Sequence, residues 1–293
     1  MGIPLLNFQN LNIVYSILQA TLNLPSTIHT LIVCQLFKIM KKTLFGLIFF
    51  VISMSLLAQE NYLYGSFISN GHTLPYRYLE PQNIKTNKKY PVVLFLHGAG
   101  ERGTDNEQQL LHCSGQFLNP DIRDKYSAYV FFPQAPTGAF WSIPDRLTEL
   151  SQDMFAAVSE PSWQLQTIKA MVDSIAQLPN VDPKRIYIMG ISMGAMATYE
   201  LCWRYPYLFA AAVPICGGAD TNRLVNAAKI PWRIYHGDAD KVVPVIFSRT
   251  AYRALKNAGA KIVYREFAGC THNSWNPAFN DPDLFPWLFK QKK

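Results

Sequence analysis

The sequence lacks several features that would indicate a repetitive, disordered or zinc-binding protein. Its 293 residues contain no internal repeat, no low-complexity tract and no CxxC pair. The spacing of its five cysteines is not that of a zinc site. At 49% hydrophobic and 16% charged residues, the composition predicts a globular protein with a core of ordinary size.

Acidic residues are absent from the first 58 positions, and this affects the net charge. The formal charge is +7, but residues 1–58 contribute Lys38, Lys41 and Lys42 and no acid. The rest of the chain has 24 basic and 20 acidic residues, a net charge of +4. Its lysines and arginines form no basic run, so we do not expect nucleic-acid binding.

Residues 40–58 have the pattern of a secretory signal peptide. Lys41 and Lys42 follow Met40, an apolar stretch runs from Leu44 to Leu57, and Ala58 precedes polar sequence. We therefore predict that residues 1–39 are an upstream extension of the gene start. The predicted mature protein is secreted or periplasmic, has no stable membrane span and consists of one domain over residues 60–293.

A membrane anchor over residues 31–57 is the alternative to a signal peptide. Lys38, Lys41 and Lys42 would interrupt that span, and lysines are costly inside a bilayer. The apolar stretch alone is also short for a span of roughly 20 residues. Leu56 fits poorly at the third position before a cleavage after Ala58, so the cleavage site stays open.

The cysteines of the predicted mature chain permit disulfides without specifying them. Four cysteines allow three pairings, between which a sequence cannot choose. A structural role is favoured over metal binding, and no metal site is predicted. These cysteines are Cys113, Cys202, Cys216 and Cys270.

Apolar runs alternate with helical patterns along residues 60–293, which predicts an α/β fold. Asn70-Gly71 between two aromatic-rich runs indicates an antiparallel hairpin near the N-terminus. The runs that start at Val92 and Ala128 are continuous and apolar, which is typical of strands in a parallel sheet buried on both faces. Strands are predicted over 92–96, 128–132, 185–189, 209–215, 232–236 and 261–267, and helices over 163–178, 193–204, 245–257 and 284–290.

The stretch GISMG, residues 190–194, lies between a predicted strand and a predicted helix. Glycines two residues before and after Ser192 would allow the sharp turn that exposes a nucleophilic serine. The backbone N–H of Met193, at the helix N-terminus, could then stabilise an oxyanion. The alternative is that Ser192 merely caps the helix.

A catalytic serine needs a base and an orienting acid, and both follow later in the chain. Asp240 lies in HGDADKVVP after one predicted strand, and His272 lies in AGCTHNSW after another. Serine, aspartate and histidine in this order, each beyond a strand, match a known triad order. Asp238 is instead predicted to brace its loop, and His236 to be a packed, hydrogen-bonded residue.

A second oxyanion donor is expected in the loop LHGAG. His97 ends a strand there and is predicted to brace the loop, while the N–H of Ala99 faces the substrate carbonyl.

Together, LHGAGERGTDN, GISMGAMAT, HGDADKVVP and THNSW resemble the α/β-hydrolase superfamily, and in particular its secreted esterase and predicted-peptidase branch. That branch is similar to feruloyl and acetylxylan esterases, to polyhydroxyalkanoate depolymerase-like enzymes and to the phospholipase/carboxylesterase group. The resemblance implies a three-layer α/β-hydrolase fold, with a mostly parallel sheet and an antiparallel N-terminal hairpin. It also implies catalysis by Ser192, Asp240 and His272 without a cofactor, and an oxyanion hole formed by Ala99 and Met193.

One position departs from the family pattern, since Ala195 replaces a second glycine found in many relatives. Its extra methyl group is expected to alter packing without removing the chemistry. Glu101, Trp141 and Trp275 are predicted to contact substrate, although either tryptophan could instead be packed under a loop.

The predicted function is that of a secreted serine esterase acting through an acyl-enzyme. Its substrates would be carbohydrate-linked or aromatic acyl esters. A serine peptidase with the same triad is the first alternative, and a non-catalytic binding protein of this fold is the second. The sequence does not determine the acyl group, the alcohol or the oligomeric state.

Overall fold

A single eight-stranded sheet organises the part of the chain that the computed structural model describes, residues 62–142, 150–156 and 159–293. The strands are β1 Leu63–Ser69, β2 His72–Leu79, β3 Tyr90–Leu96, β4 Tyr129–Pro133, β5 Val181–Ile191, β6 Ala211–Ile215, β7 Trp232–Gly237 and β8 Ile262–Phe267. They lie in the order β1-β2-β4-β3-β5-β6-β7-β8 across the sheet. β2 pairs antiparallel with both β1 and β4, and all remaining pairs are parallel.

Helices cover both faces of this sheet. They are α1 Ser114–Leu118, α2 Pro120–Arg123, α3 Gln152–Ala156, α4 Trp163–Ala176, α5 Met193–Arg204, α6 Ile246–Asn257, α7 Trp275–Phe279 and α8 Leu284–Lys290. Single 3₁₀ turns occupy Ala99–Glu101, Gln108–Leu110 and Leu224–Ala227. The predicted three-layer α/β-hydrolase architecture is confirmed.

The two core layers follow from the alternation of side chains along buried strands. In β3, Val92 and Leu94 belong to the core layer that packs on α4, α5 and α6. Val93 and Phe95 point the opposite way, into the layer under α1, α7 and α8. Successive strand side chains point to opposite faces, so a continuous apolar run requires cover on both sides.

The predicted N-terminal hairpin forms where the turn residues require it. Asn70 and Gly71 adopt positive φ angles of 51° and 78°, as the tight turn between β1 and β2 demands. The seven register pairs then run from Leu63↔Tyr78 to Ser69↔His72.

Most predicted elements lie within a few residues of the observed ones, whereas the sequence does not predict α1, α2, α3 and α7. The proposed upstream extension, the signal peptide over 40–58 and the start of the domain at residue 60 lie outside the described residues. Within the described ranges, no helix combines the length and the apolar character needed to cross a membrane.

Candidate active site

Ser192 lies on a strained turn between β5 and α5. Its backbone has φ 51° and ψ −116°, which side-chain-bearing residues rarely adopt. The turn is held by the Ser192 N–H, which donates to the Ile215 carbonyl at 2.9 Å. Although Ser192 occupies the N-cap position, its side chain makes no capping hydrogen bond. The hydroxyl is therefore free for another partner.

The glycines flanking Ser192 are required by close backbone packing. A Cβ built on Gly190 would lie 2.3 Å from the Gly194 carbonyl oxygen, and one on Gly194 would lie 2.0 Å from the Leu96 oxygen. Neither contact is sterically possible. Ala195 is fully buried and lies against Gly217, where an added Cβ would be 2.5 Å from the Ala195 methyl. The departure from the family pattern is thus a packing difference where α5 meets the loop after β6.

Hydrogen bonds join the three predicted triad residues from three separate loops. His272 Nε2 lies 2.9 Å from Ser192 Oγ, and His272 Nδ1 lies 2.7 Å from Asp240 Oδ2. These residues follow β5, β7 and β8, whose parallel carboxyl ends meet at one edge of the sheet. The geometry allows the imidazole to accept the serine proton while the carboxylate holds its other nitrogen.

Asp240 is buried, and both of its carboxylate oxygens face hydrogen-bond donors. Oδ1 accepts from the N–H groups of Val242 at 2.8 Å and Val243 at 3.0 Å. Oδ2 accepts from His272 and lies 3.2 Å from His236 Nε2. Burial alone would raise the pKa of Asp240, but the hydrogen bonds from His236, His272 and Val243 hold it well below its ordinary value. The carboxylate is therefore ionised at neutral pH.

His236 is a packed, hydrogen-bonded residue, as predicted. Its contact with Asp240 is an additional finding that the sequence analysis does not predict. Besides Asp240, its Nε2 lies 2.9 Å from the Val243 carbonyl, so this nitrogen faces two acceptors and carries a proton. Its Nδ1 lies 2.6 Å from the Ser248 hydroxyl. The spacing of four residues between His236 and Asp240 was the available signal. Asp238, in the same loop, accepts from the Gly269 N–H at 2.7 Å, as its bracing role predicts.

The loop after β3 lies directly against the serine. A Cβ on Gly98 would approach the Ser192 Cβ to 3.6 Å. Ala99 opens the 3₁₀ turn and Met193 opens α5. Residues at these positions have backbone N–H groups without a partner inside their own helix. Two such donors beside one serine can form an oxyanion hole.

His97 fixes the orientation of the Ala99 N–H. Ala135 N–H donates to His97 Nε2 at 3.0 Å, so the ring proton lies on Nδ1, which donates to the Gly98 carbonyl at 2.6 Å. The Gly98 carbonyl and the Ala99 N–H belong to one trans peptide and point in opposite directions. Burial lowers the pKa of His97 to about 4, outweighing its bond to Gly98 and the charge of Glu101. The ring is therefore neutral at pH 7.

The residues predicted to contact substrate occupy different environments. Trp141 is 0% exposed and donates its indole N–H to the His97 carbonyl at 3.1 Å, so it packs beneath the loop and presents no free face. Of the two roles left open for Trp141, its position matches the packed one. Trp275 is partly exposed, and its ring centroid lies 5.5 Å from that of His272.

Glu101 is buried beside the oxyanion loop. Its Oε1 lies 3.5 Å from His112 Nε2, and the His112 ring centroid is 5.0 Å from that of Trp275. Burial raises the pKa of Glu101, but contacts with His112 and His97 outweigh it and leave the pKa below its usual value. Glu101 thus contacts His112 and supports the loop, rather than facing the solvent.

The four cysteines that the structure describes are unpaired, and the only metal-ligand trio among the described residues overlaps the triad. Cys113, Cys202, Cys216 and Cys270 are all free, and the first three are buried. Donor atoms of Cys216, Asp240 and His272 lie within 4.8 Å of one another. Because Asp240 and His272 already hydrogen-bond to each other, we assign this trio to the triad rather than to a metal.

Ser192 lies on the nucleophile turn and is hydrogen-bonded to His272, which is in turn hydrogen-bonded to Asp240. This arrangement at the carboxyl edge of the sheet defines an α/β-hydrolase site. The chain belongs to the phospholipase/carboxylesterase family, whose model matches residues 82–285.

Individual relatives agree with this family assignment. A solved thermostable esterase is 33% identical with a TM-score of 0.71, over 81% of this chain and 64% of its own. A ferulic acid esterase from Anaeromyces mucronatus, solved with ferulic acid, shares the fold at 15% identity, with a TM-score of 0.59 over 78% of this chain and 90% of its own. A bifunctional acetylxylan esterase/xylanase from Neocallimastix patriciarum is 26% identical over 56% of this chain and 21% of its own. The chain spans less than half the length of the leading curated relatives that it matches.

Proposed function

We propose that this protein is a serine hydrolase that cleaves carboxylic esters through an acyl-enzyme intermediate. The hydrogen-bonded series from Ser192 through His272 to Asp240 carries the proposal. Family membership and the names of the relatives support an ester as the bond that is cleaved.

Each residue would have a distinct role in the reaction. Ser192 Oγ attacks the carbonyl carbon while its proton moves to His272 Nε2. The carbonyl oxygen gains negative charge and accepts hydrogen bonds from Ala99 and Met193. His272 then passes the proton to the departing alkoxide as the C–O bond breaks, which leaves an acyl-serine. Water, deprotonated by the same imidazole, releases the acid and restores Ser192.

The substrates we propose are carbohydrate-linked or aromatic acyl esters, and the site of action is the periplasm or the exterior. Relatives named for acetylxylan and for ferulic acid support the substrate class. Export rests on the predicted signal peptide that starts at Met40, followed by a mature domain from about residue 60. N-terminal sequencing of the exported protein would identify the start and the cleavage site.

A fluorophosphonate probe provides the direct test of the nucleophile. We expect covalent labelling of the wild-type protein and none of Ser192→Ala, with Ser142→Ala as a control that keeps the triad. Absence of labelling in the wild type would favour a non-catalytic binding protein.

Substrate class is tested by comparing kcat/KM on p-nitrophenyl acetate, methyl ferulate, acetylated xylan and a peptide amide. The esters should be cleaved faster than the amide. Faster cleavage of the amide would contradict the esterase proposal and support the alternative, a serine peptidase.

A further inference from the structure

A cavity of about 300 Å³ lies beside the catalytic histidine and is not used by the triad. It is formed by the segment around α1 on one side and by α7 on the other. Its lining residues are Leu111, His112, Cys113, Gly115, Gln116, Trp275, Asn276, Phe279 and Asn280. A volume near 300 Å³ is at the lower end of the range for small-molecule sites, enough for a single ring-sized group.

The lining chemistry selects an uncharged, hydroxyl-rich ligand. No lysine, arginine, aspartate or glutamate lines the cavity, and its one histidine, His112, already contacts Glu101 at 3.5 Å. Three amide side chains are present, of which Asn276 and Asn280 are exposed and Gln116 is partly exposed. Amides both donate and accept, which suits hydroxyl groups, and an accessible tryptophan provides an apolar face for the C–H side of a sugar ring.

The position of the cavity decides which part of an ester it receives. Trp275 borders both the cavity and His272, whose ring it meets edge to face at 85°. In acyl transfer the histidine gives its proton to the leaving alcohol, so the alcohol must lie on the histidine side. The carbonyl oxygen of the acyl group would lie on the other side, towards the backbone N–H groups of Ala99 and Met193, the proposed oxyanion donors.

We infer that this cavity is the binding site for the alcohol part of the substrate, and that this part is an uncharged sugar unit held against Trp275 by the amides of Gln116, Asn276 and Asn280. The inference rests on the proposed ester hydrolysis. It goes further by locating the binding site of the sugar in the cavity between the α1 segment and α7.

The kinetic test holds the acyl group constant and changes only the alcohol. Acetylated xylobiose and p-nitrophenyl acetate both donate an acetyl group. Gln116→Ala and Asn276→Ala should each raise KM for acetylated xylobiose about 3- to 10-fold, the effect expected of one lost hydrogen bond. Their kcat values, and kcat/KM for p-nitrophenyl acetate, should stay within about twofold. Trp275→Phe should raise the same KM while keeping an aromatic contact with His272. Trp203→Ala removes a partly exposed tryptophan that does not line the cavity, and it should leave KM and kcat unchanged for both substrates.

A binding measurement separates this inference from the proposed function. In Ser192→Ala, unesterified xylobiose should change tryptophan fluorescence, and the change should be absent from Ser192→Ala/Trp275→Phe. If binding is seen but the wild type hydrolyses no ester, the proposed function fails and the sugar site stands. If the cavity variants affect both acetyl esters equally, or xylobiose does not bind, the cavity does not hold a sugar as the alcohol part.

Discussion

Replacing Asp240 with asparagine should reduce kcat by about 10,000-fold without unfolding the protein. The amide oxygen of asparagine can take the place of Oδ1 and accept from the N–H groups of Val242 and Val243. The amide NH₂ then replaces Oδ2 and points a donor at His272 Nδ1, which donates a proton in the wild type. His272 must therefore move its proton to Nε2, the nitrogen 2.9 Å from Ser192 Oγ.

The expected magnitude follows from this change of tautomer. A histidine that carries its proton on Nε2 cannot accept one from Ser192. The equivalent substitution in a chymotrypsin-like protease lowers kcat by about 10,000-fold. That loss corresponds to about 5.5 kcal/mol in activation free energy. Stability should fall by only about 1–3 kcal/mol, because one charge-assisted site is replaced by a neutral amide.

Asp238→Asn is the matched control, because it makes the same chemical change two residues away. Asp238 is exposed and accepts one backbone hydrogen bond, which an amide oxygen can also accept. Its kcat should stay within about twofold of the wild type. Steady-state hydrolysis of p-nitrophenyl acetate measures both variants, and circular dichroism checks their folding. The reasoning is refuted if Asp240→Asn keeps more than about 1% of kcat, or if Asp238→Asn loses as much.

Three further predictions concern stability and thiol chemistry. Gly194→Ala should fail to fold, or its free energy of unfolding in urea should fall by more than about 3 kcal/mol, because the new Cβ would lie 2.0 Å from the Leu96 oxygen. Ala195→Gly should lower the free energy of unfolding by only about 1 kcal/mol. Folding lowers the pKa of His97 to about 4, so as the pH falls the unfolded state protonates this histidine before the folded state does. The free energy of unfolding should therefore be at its full value above about pH 6.5 and fall by about 3 kcal/mol towards pH 4. His97→Asn, which lacks a titrating ring, should show a smaller fall over that range in urea titrations, and an unchanged fall would assign it to other groups. Ellman's reagent should titrate only Cys270 among the four described cysteines of the native protein and all four in guanidinium, while a disulfide would remove two thiols in both states.

The sequence predicts the sheet well because its strands carry strong local signals. The predicted strands over 92–96 and 209–215 lie close to β3 and β6, which are buried throughout, since continuous apolar runs require burial on both faces. The predicted strand over 261–267 also lies close to β8, although β8 is an edge strand that is only partly buried. By contrast, α1 and α2 span five and four residues, too few for a helical period to be seen. β5 starts at Val181, earlier than the predicted 185, because Val181 pairs with the distant Tyr90.

Side-chain environments are harder to predict than elements, because distant segments create them. Trp141 is fully buried by contacts from elsewhere in the chain, and the hydroxyl of Ser162, just before α4, donates to its carbonyl. Likewise, nothing in the cysteine spacing indicates that Cys113, Cys202 and Cys216 lie apart as buried thiols. Burial of this kind depends on how α4 and the sheet pack, which local sequence does not encode.

The three histidines near Ser192 show how environment separates a base from a support. His272 has a side chain that is 20% exposed, and in the proposed reaction it would gain and lose a proton. His97 and His236 are 1% and 0% exposed, and each ring nitrogen already has a hydrogen-bonding partner, so neither ring faces Ser192 as a base. One orients the peptide that carries the Ala99 N–H, and the other donates towards Asp240. Donors besides His272 hold Asp240 in its ionised form. Asp240 would therefore remain a carboxylate when His272 becomes an imidazolium, and this negative charge would stabilise the imidazolium in the transition state.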